Sequence, residues 1–197
     1  MLYSLFILAH ILADFPLQTK KICEEKKINF TGLLKHLLVV FAILLILTSC
    51  YFSYQLFLSI VAVTILHCII DYSKIYLSRI INVKHHLELF IFDQILHMLV
   101  ILLIVPQFND IHLNPYFGII LNYLYDSIEW FNYLNAERLT FVAIVTSVVI
   151  FNFKGCTIII RDVLKKYKSD ISDEGDKGKA IGNLERLIVE SHVVEKM

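Results

Sequence analysis

The chain has 197 residues, of which 57% are hydrophobic, and a mean hydropathy of +0.68, more apolar surface than a soluble domain of this size can hide. Its 18 basic and 18 acidic residues cancel to a formal net charge of zero, so no overall field recruits nucleic acid, and that class of partner is excluded. Cys23, Cys50, Cys68 and Cys156 lack CxxC spacing and fall in different segments, which points to buried or inert thiols rather than zinc ligands or a disulfide framework.

The expected fold is all-α, a polytopic transmembrane helical bundle. A crossing helix needs about 20 mostly apolar residues for a hydrocarbon core of about 30 Å. On that basis five spans are expected, over residues 2–17, 34–52, 54–72, 87–105 and 139–160. The first opens with "LAHILADFPLQTK" (8–20), whose apolar run is interrupted by His10 and Asp14 and ends at Pro16. It has neither the positive leading region nor the small-residue cleavage site of a secretory signal, so it is expected to be retained.

Lys20, Lys21, Lys26, Lys27 and Lys35 follow the first span; Lys74, Arg79 and Lys84 follow the third; Arg161, Lys165, Lys166 and Lys168 leave the fifth. Basic residues concentrate on the cytoplasmic side of membrane proteins. These alternate loops are therefore read as cytoplasmic, in a multi-pass protein with its N-terminus outside. The opposite connections agree, since the turn around Ser53 and the stretch 106–137 carry no Lys or Arg.

Within that outer stretch, "YFGIILNYLYDSIEWFNYLN" (116–135) has the aromatic content of a helix lying in the headgroup region. The chain divides into a transmembrane helical domain, 1–164, and a cytoplasmic segment, 165–197. The latter comprises the polar linker "KKYKSDISDEGDKGK" (165–179) and a short terminal helix.

The chemistry is expected from polar residues inside the spans. His10, Asp14 and Gln18 recur every four residues and share one helix stripe. His67 and Asp71 repeat the pair, followed by Lys74; "FDQILH" gives Asp93 and His97 in reversed order; His36 sits at the start of the second span. With the topology above, His10, Asp14, His36, His67, Asp71, Asp93 and His97 fall at one depth, in the cytoplasmic half of the membrane.

Four imidazoles and three carboxylates are a ligand set for a divalent metal such as zinc, manganese or iron. Some carboxylates serve equally well as acceptors of a ligating histidine's other ring N–H. For any single pair, an interhelical hydrogen bond is the plainer explanation. For seven groups at one depth it weakens, because each ionisable residue in a membrane costs ~3 kcal/mol or more to insert.

The motifs "LAHILADFPLQTKK", "HCIIDYSK" and "FDQILHMLVI", followed by "IGNLER" (181–186), resemble the signatures of the bacterial inner-membrane family catalogued as domain of unknown function 3307. The resemblance covers nearly the whole chain and implies a polytopic protein of the bacterial cytoplasmic membrane, with no established activity. After Glu190 the chain departs from that pattern, ending as "SHVVEKM" where the family looks to continue into membrane helix, so the terminal helix is expected to be truncated.

Two function classes follow. In the first, the chain is a membrane-embedded, metal-dependent hydrolase acting on a lipid or phosphoester. Asp71 or Asp93 serves as base, and Gln18, Lys74, Arg79 and Gln94 contact the substrate, Lys84 adding positive charge for its head group. In the second, it is a small transporter, a proton relay or a structural membrane subunit with a hydrogen-bonded polar core. The second class ranks lower, because no inverted repeat is visible and the polar layer lies off the midplane.

Overall fold

The computed structural model describes residues 1–80, 86–105, 112–128, 133, 135–167 and 182. Lys84, Lys168 and nearly all of the terminal segment, including the "IGNLER" block beyond Gly182, lie outside the described residues, as does part of the aromatic stretch after Ile128. Among the described residues there are eight α-helices: α1 Leu2–Asp14, α2 Lys20–Ile28, α3 Phe30–Thr48, α4 Tyr54–Ile80, α5 His86–Ile104, α6 Pro115–Ser127, α7 Ala136–Ile150 and α8 Cys156–Tyr167. Among the described residues there is no strand, and the four cysteines are free.

Among the described residues four segments are long and apolar enough to cross a membrane: Phe30–Tyr51, Tyr54–Ile80, Leu87–Ile104 and Ala136–Arg161. Their outward faces carry Leu38, Ile46, Ile65, Phe92, Leu102 and Val148, all exposed, as a lipid-facing surface requires. The fourth is made of α7, a wide π turn at Phe151–Gly155, and the first part of α8.

The first expected span is shorter than its apolar stretch suggested. α1 has 13 residues and stops at Asp14, because Pro16 cannot donate to the helix ladder. At 1.5 Å per residue it is about 20 Å long, well short of a hydrocarbon core of about 30 Å. It compensates by burial. Phe6, Ala9, His10, Ile11 and Ala13 are covered as α1 packs among α3, α5 and α7, with Ala9 and Ala13 giving the neighbouring helices close approach.

The core of the far half of the bundle is apolar: Phe6, Val40, Leu44, Leu56, Ile60 and Ile101 interdigitate from α1, α3, α4 and α5. At that end the α3–α4 corner receives α6, whose Asn114 N–H donates to the Cys50 carbonyl (2.8 Å) and whose Asn114 side chain caps Tyr116 N–H (3.0 Å). α6 leaves Tyr116, Ile119 and Tyr123 exposed and buries none of its residues.

At the opposite, basic end lies α2, a short helix with no place in the spans. Thr19 caps its start, accepting from Ile22 N–H (3.3 Å), and Asn29 caps the start of α3, accepting from Gly32 N–H (3.3 Å). The two backbones touch. A Cβ on Gly32 would stand 2.3 Å from the Glu25 carbonyl carbon and the Lys26 nitrogen, so only glycine admits α2 at this distance. Lys35 clamps Glu25 (2.6 Å), and Arg79 from the end of α4 donates to the Lys27 carbonyl (2.6 Å).

Candidate metal centre

Helical periodicity delivers the polar residues to one place. His10 and Asp14 are one turn apart on α1, His67 and Asp71 one turn apart on α4, Asp93 and His97 one turn apart on α5, and each pair faces the bundle axis. His36 joins them from the second turn of α3 and is fully buried. The structure therefore brings together all seven residues that the sequence singled out as a ligand set.

Their innermost contacts form a compact figure of four atoms. His36 Nε2 lies 3.1 Å from His67 Nε2, 3.3 Å from Asp14 Oδ1 and 3.4 Å from Asp71 Oδ2; His67 Nε2 lies 3.5 and 3.7 Å from the same two oxygens. Ligands placed tetrahedrally about 2.05 Å from a zinc ion stand about 3.3 Å from one another. The five separations scatter around that edge. Most are long for hydrogen bonds, which close to about 2.7–3.2 Å for nitrogen and oxygen.

True ion pairs in the same cluster do close. Lys26 Nζ reaches Asp71 Oδ2 at 3.0 Å, and Lys74 Nζ reaches Asp93 Oδ2 at 2.6 Å. Gln94 Nε2 also donates to Asp93 Oδ2 (3.0 Å), which turns Gln94 Oε1 toward His10 Nε2 at 3.4 Å. With neutral imidazoles, three carboxylates against two ammonium groups leave the cluster one negative charge in excess, an environment that favours a cation.

Lys26 is the residue that sequence reasoning missed. It counted only as one of the basic residues fixing topology, yet its side chain is 9% exposed and bonds to the centre of the cluster. Burial pushes its pKa down, but the Asp71 and Asp14 carboxylates push harder in the other direction and hold the ammonium above its ordinary 10.5. On the Lys26 side the pair keeps its charge below the ordinary 10.5 and loses it as pH rises through the elevated value. The close approach at Gly32 was the available signal for a helix folded onto α3, but no spacing rule names Asp71 as its partner.

The expected substrate contacts are placed as follows. Lys74 is held by Asp93 and lies 5.3 Å over the Phe90 ring; Gln94 belongs to the cluster itself; Arg79 is engaged on α2. Gln18 lies just beyond α1, and its buried Nε2 has no hydrogen-bond partner. On the far side of the imidazoles is a cavity of about 10 Å³, walled mainly by carbon from Phe6, Val40, Leu44, Val63 and Ile101. That is room for about one water.

A family model described as protein of unknown function (DUF3307) matches residues 2–121, a stretch that contains the whole cluster and Lys26. This is the family expected from the three motifs, while the match ends before "IGNLER" (181–186) and so covers less of the chain than the resemblance implied. No curated protein and no solved structure matches the chain.

Proposed function

We propose a function for a chain that belongs to the DUF3307 family of proteins of unknown function: a membrane-embedded metalloprotein that hydrolyses a lipid or phosphoester at the basic face of the bilayer. The observation that carries the reading is the approach of Asp14 and Asp71 to the paired Nε2 atoms of His36 and His67, in five separations of 3.1 to 3.7 Å. Zinc, manganese or iron suits this mixed nitrogen and oxygen set. Such an ion would supply Lewis acidity and a bound water acidic enough to act as nucleophile near neutral pH.

The chain's own residues supply the rest. Asp93 is the carboxylate outside that set; Lys74 and Gln94 hold its Oδ2, while its Oδ1 is buried without a hydrogen-bond partner, 3.8 Å from His97 Nδ1, and is the candidate base. Asp71, the other expected base, is committed to Lys26 and to the ligand figure. Lys74 and Arg79, more exposed than Lys26, make the basic rim at which an anionic head group would arrive.

A proton relay across the bilayer is less well supported, because among the described residues the polar layer gives way on its far side to the apolar core of Phe6, Leu44, Leu56 and Ile60. The test is elemental analysis of the detergent-purified full chain, wild type beside His36→Ala, followed by assay of the metal-loaded and chelator-stripped wild type on a lipid phosphoester. Stoichiometric zinc, manganese or iron that disappears in the variant, with hydrolysis only in the loaded protein, is the expected result. A folded wild type that binds none of these metals overturns the reading.

A further inference from the structure

We infer that the centre holds two metal ions, the second bound by His10, His97 and the outer oxygen of Asp14, with Asp14 as the bridging carboxylate. The inference rests on the metal reading above and extends it to a site with its own ligands.

Asp14 faces two ways. Its Oδ1 belongs to the figure with His36 and His67, at 3.3 and 3.5 Å, whereas its Oδ2 faces His10 Nε2 at 3.9 Å. A carboxylate with one oxygen turned to each of two nitrogen sets is the usual bridge of paired ions about 3.5–4 Å apart. His10, Asp14 and His97 offer ligand atoms that all lie within 4.8 Å of one another.

The independent observation is at His97. Its Nδ1 donates to the Asp93 carbonyl (2.8 Å), and since a carbonyl can only accept, the proton is fixed on Nδ1. Nε2 is left as a bare lone pair, and it is buried without any hydrogen-bond partner on a residue only 3% exposed. The ring stands 4.1 Å from that of His67 and 4.8 Å from that of His10, centroid to centroid, so the orphaned nitrogen belongs to the cluster. A backbone carbonyl that fixes one nitrogen and frees the other is how metal-ligating histidines are oriented. Gln94 Oε1, held by its amide's bond to Asp93, stands 3.4 Å from His10 Nε2, long for a hydrogen bond and suited to a further oxygen donor.

Charge then selects the substrate. One divalent ion turns the cluster's single excess negative charge into a net +1, and a second makes it +3, which an anion must balance. A phosphoryl group meets that requirement where a neutral carboxylic ester does not, so the two-ion centre narrows the substrate to a phosphoester.

The experiment is a titration of the chelator-stripped, detergent-purified full chain with manganese(II), read by bound stoichiometry and by electron paramagnetic resonance, with and without inorganic phosphate. Expected are two ions per wild-type chain with a spin-coupled spectrum, a second binding step tightened at least tenfold by phosphate, and one uncoupled ion in His97→Ala. His10→Asn serves as the second variant should His97→Ala unfold. A single uncoupled ion in the wild type, unaffected by either substitution, overturns the second site and leaves the first intact. No bound ion at all overturns both.

Discussion

Toward the far end of the bundle, α1, α3, α4 and α5 meet through Phe6, Val40, Leu44, Ile60 and Ile101; toward the basic end the same helices meet through four imidazoles and three carboxylates. In the apolar half each residue asks of its neighbours only volume, and many combinations fill the space. In the polar half each group constrains the protonation and position of the next, and a missing member leaves a buried charge or lone pair unanswered. The one half explains why the helices stay together, and the other explains nothing about cohesion that apolar residues would not do better.

The largest effect should come from splitting the Lys26–Asp71 pair. Asp71→Asn leaves the buried Lys26 ammonium without its carboxylate and should cost roughly 3–5 kcal/mol, measured by unfolding in detergent, together with loss of bound metal. The comparison is sharpened by Lys26→Met combined with Asp71→Asn, which should recover most of the stability and none of the metal. Equal losses in the single and double variants would show that the pair is not what the cluster depends on.

Next in size is Leu44→Ala in the apolar half, expected to cost roughly 2–5 kcal/mol while metal content per folded chain stays unchanged. Metal lost in step with this stability would erase the distinction between the halves. The smallest effect is expected from Gly32→Ala, where the new methyl must push α2 from α3 at roughly 1–3 kcal/mol. Its signature is positional. Lys26 should become reactive to an amine-directed reagent that spares it in the wild type.

Much of this was legible in the sequence, because the four-residue spacing of His10 and Asp14, of His67 and Asp71 and of Asp93 and His97 survives any error in helix ends. Basic loops placed the pairs at one depth, and the structure brings them together. The length of α1 was less legible, since hydropathy runs on through Phe15 and Leu17 while Pro16 decides where the hydrogen-bonded ladder stops. The role of Lys26 was not legible, because it depends on a tertiary fold-back whose one clue, Gly32, marks closeness without naming the partner. The split duty of the Asp14 oxygens belongs to side-chain geometry alone.

α1 is 13 residues long, while α3, α4 and α5 have 19, 27 and 19. In a bilayer, a short apolar helix among longer ones is a hydrophobic mismatch, relieved by local thinning and by head groups sinking beside the short element. Asp14 is the last residue of that element. On the function proposed above, such a dimple would form over the candidate ligand layer, where a lipid's polar head could descend while its tail stays in the leaflet, without a channel through the protein.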